Sequence, residues 1–211
     1  LNTGEQLIED YDVLILSPGA NAIVPPIPGI DSINCFTLRN MEDTDIIISY
    51  IKKNKPQKAL IIGCGLIGLE IIENLINLGI DVTAVARNTQ IMSALDYEMA
   101  VPIQRHLREN GVKLLLKNEV EAFENGEAVM RTGENIPFDL VIMSLGVVPN
   151  SKLAKEAGLD IGVQGTIVVD DHMKTSDDNI YAVGDVVQVR DFVTGQFGFK
   201  PLAGPANKQG R

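Results

Sequence analysis

Residues 58–68 read Lys-Ala-Leu-Ile-Ile-Gly-Cys-Gly-Leu-Ile-Gly. A short apolar run climbs into Gly63-Cys64-Gly65-Leu66-Ile67-Gly68, a G-x-G-x-x-G spacing, and a helical pattern follows at once. Between a strand and a helix, that spacing reads as a site for the pyrophosphate of a dinucleotide. Gly63 is expected to permit the tight turn off the strand. Gly65, lacking a side chain, lets the pyrophosphate reach the backbone, and Gly68 lets the helix pack close. The first N–H groups of the helix and its positive dipole end then face the phosphates. The other reading of these residues is a glycine-rich turn in an ordinary α/β domain.

The elements that must position this turn are legible around it. Ile67, Ile71, Leu75 and Leu78 recur at helical spacing, and Gly79 offers a stop. Residues 81–86, Asp-Val-Thr-Ala-Val-Ala, read as the next strand. The end of that strand selects the nucleotide. In NAD sites an acidic residue about 20 positions past the first glycine accepts from the adenosine ribose and would repel a 2′-phosphate. Here Ala86 stands without a carboxylate and Arg87 follows, while Asp81 lies at the far end of the strand. A guanidinium pairs bidentately with phosphate, so the residues favour NADP(H) over NAD(H). Ser93 is the nearest further polar residue able to face the phosphate. Alternatively, Arg87 is a solvated loop arginine.

The chain has 211 residues, 45% hydrophobic and 22% charged, which places it among globular proteins with a sizeable core. A net charge of −10 argues against a nucleic-acid-binding face and against adsorption to an anionic membrane. No apolar run is long enough to span a bilayer, and the opening residues lack the pattern of a secretory leader. Cys35 and Cys64 are the two cysteines, in no C-x-x-C arrangement, and no disulfide is expected of a cytoplasmic nucleotide-binding protein. Cys64 reads as packing within the turn, and Cys35 as a loop residue without a catalytic role. His106 and His172 stand apart from other ligand types, so no metal site is expected. The chain opens on Leu1 and closes on Lys208-Gln209-Gly210-Arg211 with no evident terminal element. The expectation is a piece of a longer protein.

Along the chain, residues 11–17 read as a strand followed by the Pro18-Gly19 turn, and Pro25, Pro26 and Pro28 make a stiff irregular connection. Residues 44–54 read as a helix capped by Asp43 or Thr44. Residues 96–110 read as another, with Pro102 implying a kink or a later start. Strands are expected at 112–116, 139–144, 166–170 and 180–183, and Asn125-Gly126 marks a hairpin between 119–124 and 128–131. The fold class is α/β: a Rossmann-like dinucleotide domain with a parallel sheet and a β-meander at residues 30–147. The flanks, 1–29 and 148–211, read as segments of a second domain into which the first is inserted.

Six stretches together carry a resemblance. They are 14–20 (LILSPGA), 36–40 (FTLRN) with Asp43-Thr44-Asp45, 63–70 (GCGLIGLE), 146–149 (GVVP), 175–185 (TSDDNIYAVGD) and 202–211 (LAGPANKQGR). Through them the chain resembles the pyridine nucleotide–disulfide oxidoreductases, flavoproteins with two dinucleotide domains. Within that family it looks most like the coenzyme A-disulfide reductase group and its NADH oxidase relatives. The resemblance implies that the flanking segments belong to an FAD domain. There Asp185 would bond the ribityl–pyrophosphate region, and Leu202, Ala203 and Gly204 would approach the isoalloxazine. It implies that Glu70 points towards flavin and nicotinamide, that Leu66 and Ile67 line the nicotinamide channel, and that Gly146 passes the nicotinamide side. From the residues alone, Glu70 is equally a helix-surface glutamate, and Leu66 and Ile67 are equally core.

Departures from the family pattern matter. NADH-using members carry a glutamate where this chain has Ala86. NADPH-using members place one arginine at the position of Arg87 and a second at that of Ser93. Many members have an arginine at the position of Val148, whose absence puts one flavin-side contact in doubt. The family's first flavin-binding motif and redox cysteine would precede Leu1, and its dimerisation domain would follow Arg211. Neither Cys35 nor Cys64 falls at the catalytic cysteine's position. The implied activity of the parent homodimer is hydride transfer from NADPH to FAD, then reduction of a small disulfide such as coenzyme A disulfide, or of oxygen or peroxide. Two alternatives stay open. One is a reductase feeding rubredoxin or ferredoxin. The other, for this stretch alone, is a non-catalytic dinucleotide-binding module.

Overall fold

The computed structural model describes residue 4 and residues 6–211. The chain runs through β1 (Leu14–Leu16), β2 (Ala20–Ala22), β3 (Cys35–Thr37), α1 (Met41–Asn54), β4 (Lys58–Ile62), α2 (Leu66–Asn77) and β5 (Asp81–Ala86). It continues through α3 (Tyr97–Glu109), β6 (Lys113–Leu116), β7 (Val120–Glu124), β8 (Glu127–Met130), β9 (Asn135–Pro137) and β10 (Leu140–Met143). It ends with β11 (Val147–Pro149), α4 (Lys152–Glu156), β12 (Ile180–Ala182), β13 (Gln188–Arg190), β14 (Phe197–Phe199) and α5 (Ala203–Gln209). Two compact units share this path: Ala22–Gly146, and a discontinuous one made of residues up to Asn21 with Val147–Arg211.

The continuous unit is built on a five-stranded sheet in the order β3-β10-β4-β5-β6, with every pairing parallel. Its strands are covered on both faces, as parallel strands require. The pleat sends alternate residues to opposite layers. Ala59, Ile61, Val82, Ala84, Leu140 and Ile142 pack with Ile71, Ile72 and Leu75 of α2 and Leu107 of α3. Leu60, Ile62, Val85, Val141 and Met143 pack with Val120, Phe123, Ala128, Met130 and Ile136 of the antiparallel β7-β8-β9 meander. The chain leaves β4 towards β5 and later returns to β4's other side as β10. The direction of winding therefore reverses between β4 and β10, and in open parallel sheets ligands bind at the carboxyl end of that junction.

Several elements differ from the sequence expectation, each for a local reason. Helix α1 starts earlier because Asn40 caps it: Asn40 Oδ1 accepts from Asp43 N at 2.9 Å, and Asp43 Oδ2 accepts back from Asn40 N at 3.4 Å. Asp43 is therefore the return half of a capping box rather than the cap itself. Helix α3 runs through Pro102, the sixth residue of the helix, without a later start. The proline withdraws only the bond to the Glu98 carbonyl, and both residues lie on the exposed face of the helix, where that carbonyl is open to solvent. Cys35 belongs to edge strand β3 rather than a loop. Residues 166–170 form no strand; Ile167 makes single bridges to Ile161 and Val187. The short β1 occupies only the later half of the 11–17 run. The third meander strand β9, the β13–β14 hairpin and the terminal helix α5 carried too little apolar alternation to be read.

The proline-rich connection makes no regular element, yet it belongs to the continuous unit. Ile27 packs against the meander core, and Phe123 N donates to Pro28 O at 2.8 Å. The discontinuous unit pairs β1 with β12 in parallel and closes on Leu16, Leu159, Ile167, Ile180 and Val186. No helix among the described residues is long and apolar enough to cross a membrane.

The amino-terminal edge of the large sheet is closed by one carboxylate. Asp139 Oδ2 accepts from Gln57 N at 2.7 Å and Lys58 N at 2.9 Å, clamping the start of β4 to the start of β10. Asp139→Ala is expected to cost about 1 kcal/mol, because these exposed amides regain water. That is a fall of roughly 2–4 °C in Tm, measured by calorimetry, with nucleotide affinity at the opposite edge unchanged.

Candidate dinucleotide site

The glycine turn sits at the carboxyl ends of β4, β5 and β10, held from both sides. Gly63 takes φ +105°, and a Cβ there would overlap the Ser144 carbonyl. Its N–H donates to Val85 O at 2.9 Å. From β10's end, Ser144 N donates to Ile62 O at 2.8 Å and Ser144 Oγ donates to Gly63 O at 2.5 Å. The Cys64 carbonyl accepts from Met92 N at 2.9 Å. Gly68 closes the arrangement: a Cβ there would overlap Gly63 O and lie 2.6 Å from Ser144 Oγ. Helix α2 is thus seated directly on the turn that begins it.

Gly65 is different. A Cβ at this position meets nothing within 4 Å. It caps α2 with no side-chain acceptor, and the first turn of the helix carries no acidic residue. The leading N–H groups have no intrahelical acceptor, and no carboxylate in that turn opposes an anion. The residues present fit a pyrophosphate: an open approach over Gly65, free donors behind it, and the positive end of the dipole.

Around the turn, the sequence-named residues divide into three groups. Leu66 and Ile67 are 61% and 41% exposed, so they are not core residues. They stand on α2's first turn as apolar surface, with Glu70 exposed one turn on. Arg87 is exposed one residue past β5, and no ion pair reaches it among the described residues. Ala86 beside it is buried, and Asp81 lies at the other end of β5, opposite Lys58. Gly146 takes φ +97°, and its carbonyl accepts from Ile23 N at 3.0 Å.

Asp185, Leu202, Ala203 and Gly204 belong to the other unit. Asp185 is half-buried in the turn after β12. The preceding Gly184 donates its N–H to Gln209 Oε1 of α5 at 2.8 Å. Leu202 caps α5, and Ala203 and Gly204 are its first two residues, all three exposed.

Neither thiol is poised for chemistry. Burial pushes the Cys64 thiol up to about 12 and that of Cys35 up to about 11. Among the described residues no cluster of His, Cys, Asp or Glu could hold a metal. Sequence reasoning passed over Ser144 and Gln209, whose side chains hold the two turns. Ser144 carried no signal beyond ending an apolar run, and Gln209 none in its spacing.

The profile described as pyridine nucleotide-disulphide oxidoreductase matches residues 1–203, and the chain belongs to that family. It is 40% identical over 99% of its length to an NADH oxidase of Methanocaldococcus jannaschii, covering 47% of that protein. It is 39% identical over 87% of its length to a coenzyme A disulfide reductase of Staphylococcus aureus, covering 41% of it. Among solved structures, reduced CoADR-RHD from Bacillus anthracis matches at TM-score 0.97 and 48% identity, over all of this chain and 38% of that one. An engineered water-forming NADPH oxidase bound to NADPH matches at TM-score 0.92 and 32% identity, over 99% of this chain and 47% of that one. It derives from a water-forming NADH oxidase of Lactobacillus brevis whose own structure holds NADH. The chain spans about two fifths to half the length of these relatives.

Two glycines three residues apart should behave oppositely. Gly65→Val should abolish calorimetric binding of the dinucleotide by occupying the pyrophosphate's approach, while Tm falls by no more than roughly 2–4 °C, the cost of about 1 kcal/mol for a poor N-cap residue. Gly68→Ala should destabilise by about 1–3 kcal/mol through overpacking against a backbone oxygen, lowering Tm by several degrees. The thiols supply a separate check: at pH 8, native Cys35 and Cys64 should react with a disulfide reagent at least about tenfold more slowly than a free thiol near 8.5, and at the free-thiol rate in denaturant.

Proposed function

We propose that this chain is the pyridine-nucleotide-binding portion of an FAD-dependent reductase, with segments of its flavin domain, and that it takes NADPH in preference to NADH. The observation that carries the nucleotide choice is the end of β5. A carboxylate is missing at Ala86, and an exposed guanidinium with no ion pair among the described residues follows at Arg87, just past the strand next to the open glycine turn. The engineered NADPH oxidase supports it. That protein carries five replacements: a glycine to alanine, then three consecutive ones, aspartate to alanine, alanine to arginine and methionine to serine, and a proline-to-arginine change six residues past the first new arginine. This chain has Ala86-Arg87-Asn88 at the end of β5, and Ser93 six residues past Arg87. It carries the first arginine of that pair and a serine in place of the second.

Within this reading each residue has a task. The N–H groups behind Gly65 hold the pyrophosphate, and Arg87 receives the 2′-phosphate. Leu66 and Ile67 give the nicotinamide an apolar wall, and Glu70 and Gly146 border its reacting edge. Asp185 and Leu202–Gly204 would hold FAD, which supplies a two-electron acceptor for the nicotinamide hydride. The protein's part in that step is placement of the nicotinamide against the flavin. For the whole protein the reading extends to a cytoplasmic homodimer that reduces a small disulfide, with coenzyme A disulfide the first candidate given the named relatives. Oxygen is the alternative acceptor that the oxidase relatives suggest.

One charge-assisted contact to the 2′-phosphate is worth about 1.5–3 kcal/mol, a preference of roughly tenfold to a hundredfold. Exposure at the strand end puts the expectation at the lower figure. In side-by-side calorimetric titrations, Arg87→Ala should weaken NADPH by that factor and leave NADH within twofold. The preference should also shrink as salt rises. Equal or tighter NADH binding by the unaltered chain would overturn the assignment.

A further inference from the structure

The loop joining β5 to α3 carries both Arg87 and Ser93. Near Arg87 it is tied by Lys117 N, which donates to Asn88 O at 3.0 Å, and further on two consecutive amides point into the protein. Met92 N–H donates to the Cys64 carbonyl of the glycine turn at 2.9 Å. Ile91 N–H donates to Gln104 Oε1 at 3.2 Å. Directly after the later of these amides the backbone enters the left-handed region, with φ +47° at Met92. That is an uncommon conformation for a long side chain, and it persists only where the surroundings hold it. The side chain of Ile91 is buried in the helical-face core, so the loop cannot move outward without exposing it.

Gln104 is the unexpected member. The buried residues of α3 are Ala100, Gln104 and Leu107, spaced as one inward stripe. The middle position of such a stripe ordinarily carries an apolar residue, yet Gln104 is a polar side chain only 5% exposed. Ile91 N–H is a buried donor, and buried backbone donors are almost always paired. Gln104 supplies that acceptor from a helix packed on the sheet.

We infer that Gln104 is a positioning residue for nucleotide selectivity: by accepting from Ile91 N–H, it sets the loop between Arg87 and Ser93 in the course that presents them to the adenosine 2′-phosphate. The inference rests on the NADPH reading above. The glycine turn has clamps in Ser144 and Val85 besides the Met92–Cys64 bond, which Gln104 does not make. Loss of the Ile91 bond should therefore act mainly on the 2′-phosphate, the group that distinguishes the two nucleotides.

The test compares the unaltered chain with Gln104→Met, which keeps side-chain length and removes the acceptor, and Gln104→Glu, which keeps an acceptor oxygen at the same reach. Calorimetric titrations with NADPH and NADH are paired with amide hydrogen exchange at Ile91 and Met92. Gln104→Met is expected to speed exchange at Ile91, to leave Met92 protected by the Cys64 carbonyl, to cut the NADPH-over-NADH ratio at least threefold, and to leave NADH affinity within twofold. Gln104→Glu is expected to restore both the ratio and the protection. If Gln104→Met weakens both nucleotides in parallel, or frees the Ile91 amide with the ratio unchanged, Gln104 is structural only and the inference fails. An unaltered chain without NADPH preference would overturn the cofactor reading itself, and this inference with it. That outcome is told apart by the first pair of titrations.

Discussion

The absent side chain of Gly68 sets where helix α2 can lie. With a hydrogen in place of a methyl group, the helix comes to rest on the Gly63 carbonyl, and Ser144 Oγ bonds that same oxygen from the end of β10. The turn is therefore compressed between a helix and two strand ends, with Gly63 in a backbone conformation that other residues rarely adopt. The consequence lies three residues earlier than the contact. The N-terminal amides of α2 emerge at the junction where strand order reverses, with open space over Gly65 and no side chain to cap them. Their want of acceptors follows from the geometry of any helix start. Among the described residues, no side chain caps them and nothing lies within 4 Å of where a Gly65 Cβ would stand.

The two ends of the large sheet differ accordingly. At the amino ends of its strands, Asp139 takes up the Gln57 and Lys58 amides and Tyr50 donates to the Asp139 carbonyl, so the backbone there is closed by the protein itself. At the carboxyl ends the donors are left free, and the residues exposed beside them are apolar (Leu66 and Ile67) or cationic (Arg87). An anion with an aromatic or aliphatic body suits that combination. Membership of the pyridine nucleotide-disulphide oxidoreductase family fits the same description.

How much of this was legible follows from how local each feature is. The glycine turn, α2 and β5 were read correctly because their signals are short-range: three glycines, an apolar helical stripe and an apolar run in immediate succession. The buried strand at 139–144 was legible for the same reason. The capping box was half-read, since Asp43 was recognised as a capping residue but Asn40, three positions earlier, makes the first bond. Leu66 and Ile67 could not be placed by pattern, because an apolar residue on the first turn of a helix looks the same whether it faces a core or a ligand. Residues 166–170 alternate like a strand but meet only isolated bridge partners. Ser144 and Gln209 act through bonds to residues 81 and 25 positions away, and no local pattern marks such partners. Gln104 was legible in principle, as a polar residue on an otherwise inward helical stripe.

The central claim is that the open amides above Gly65 receive the dinucleotide and that the loop after β5 receives its adenosine end. An NMR titration of the isotope-labelled chain with NADPH reads this residue by residue. The largest amide shifts should fall on residues 65–68 and 87–93, saturating together with a single Kd. Titration with NADH should reproduce the shifts at 65–68 while those at 87–93 shrink. Saturable shifts confined to other parts of the chain, with residues 65–68 unmoved, would contradict the account.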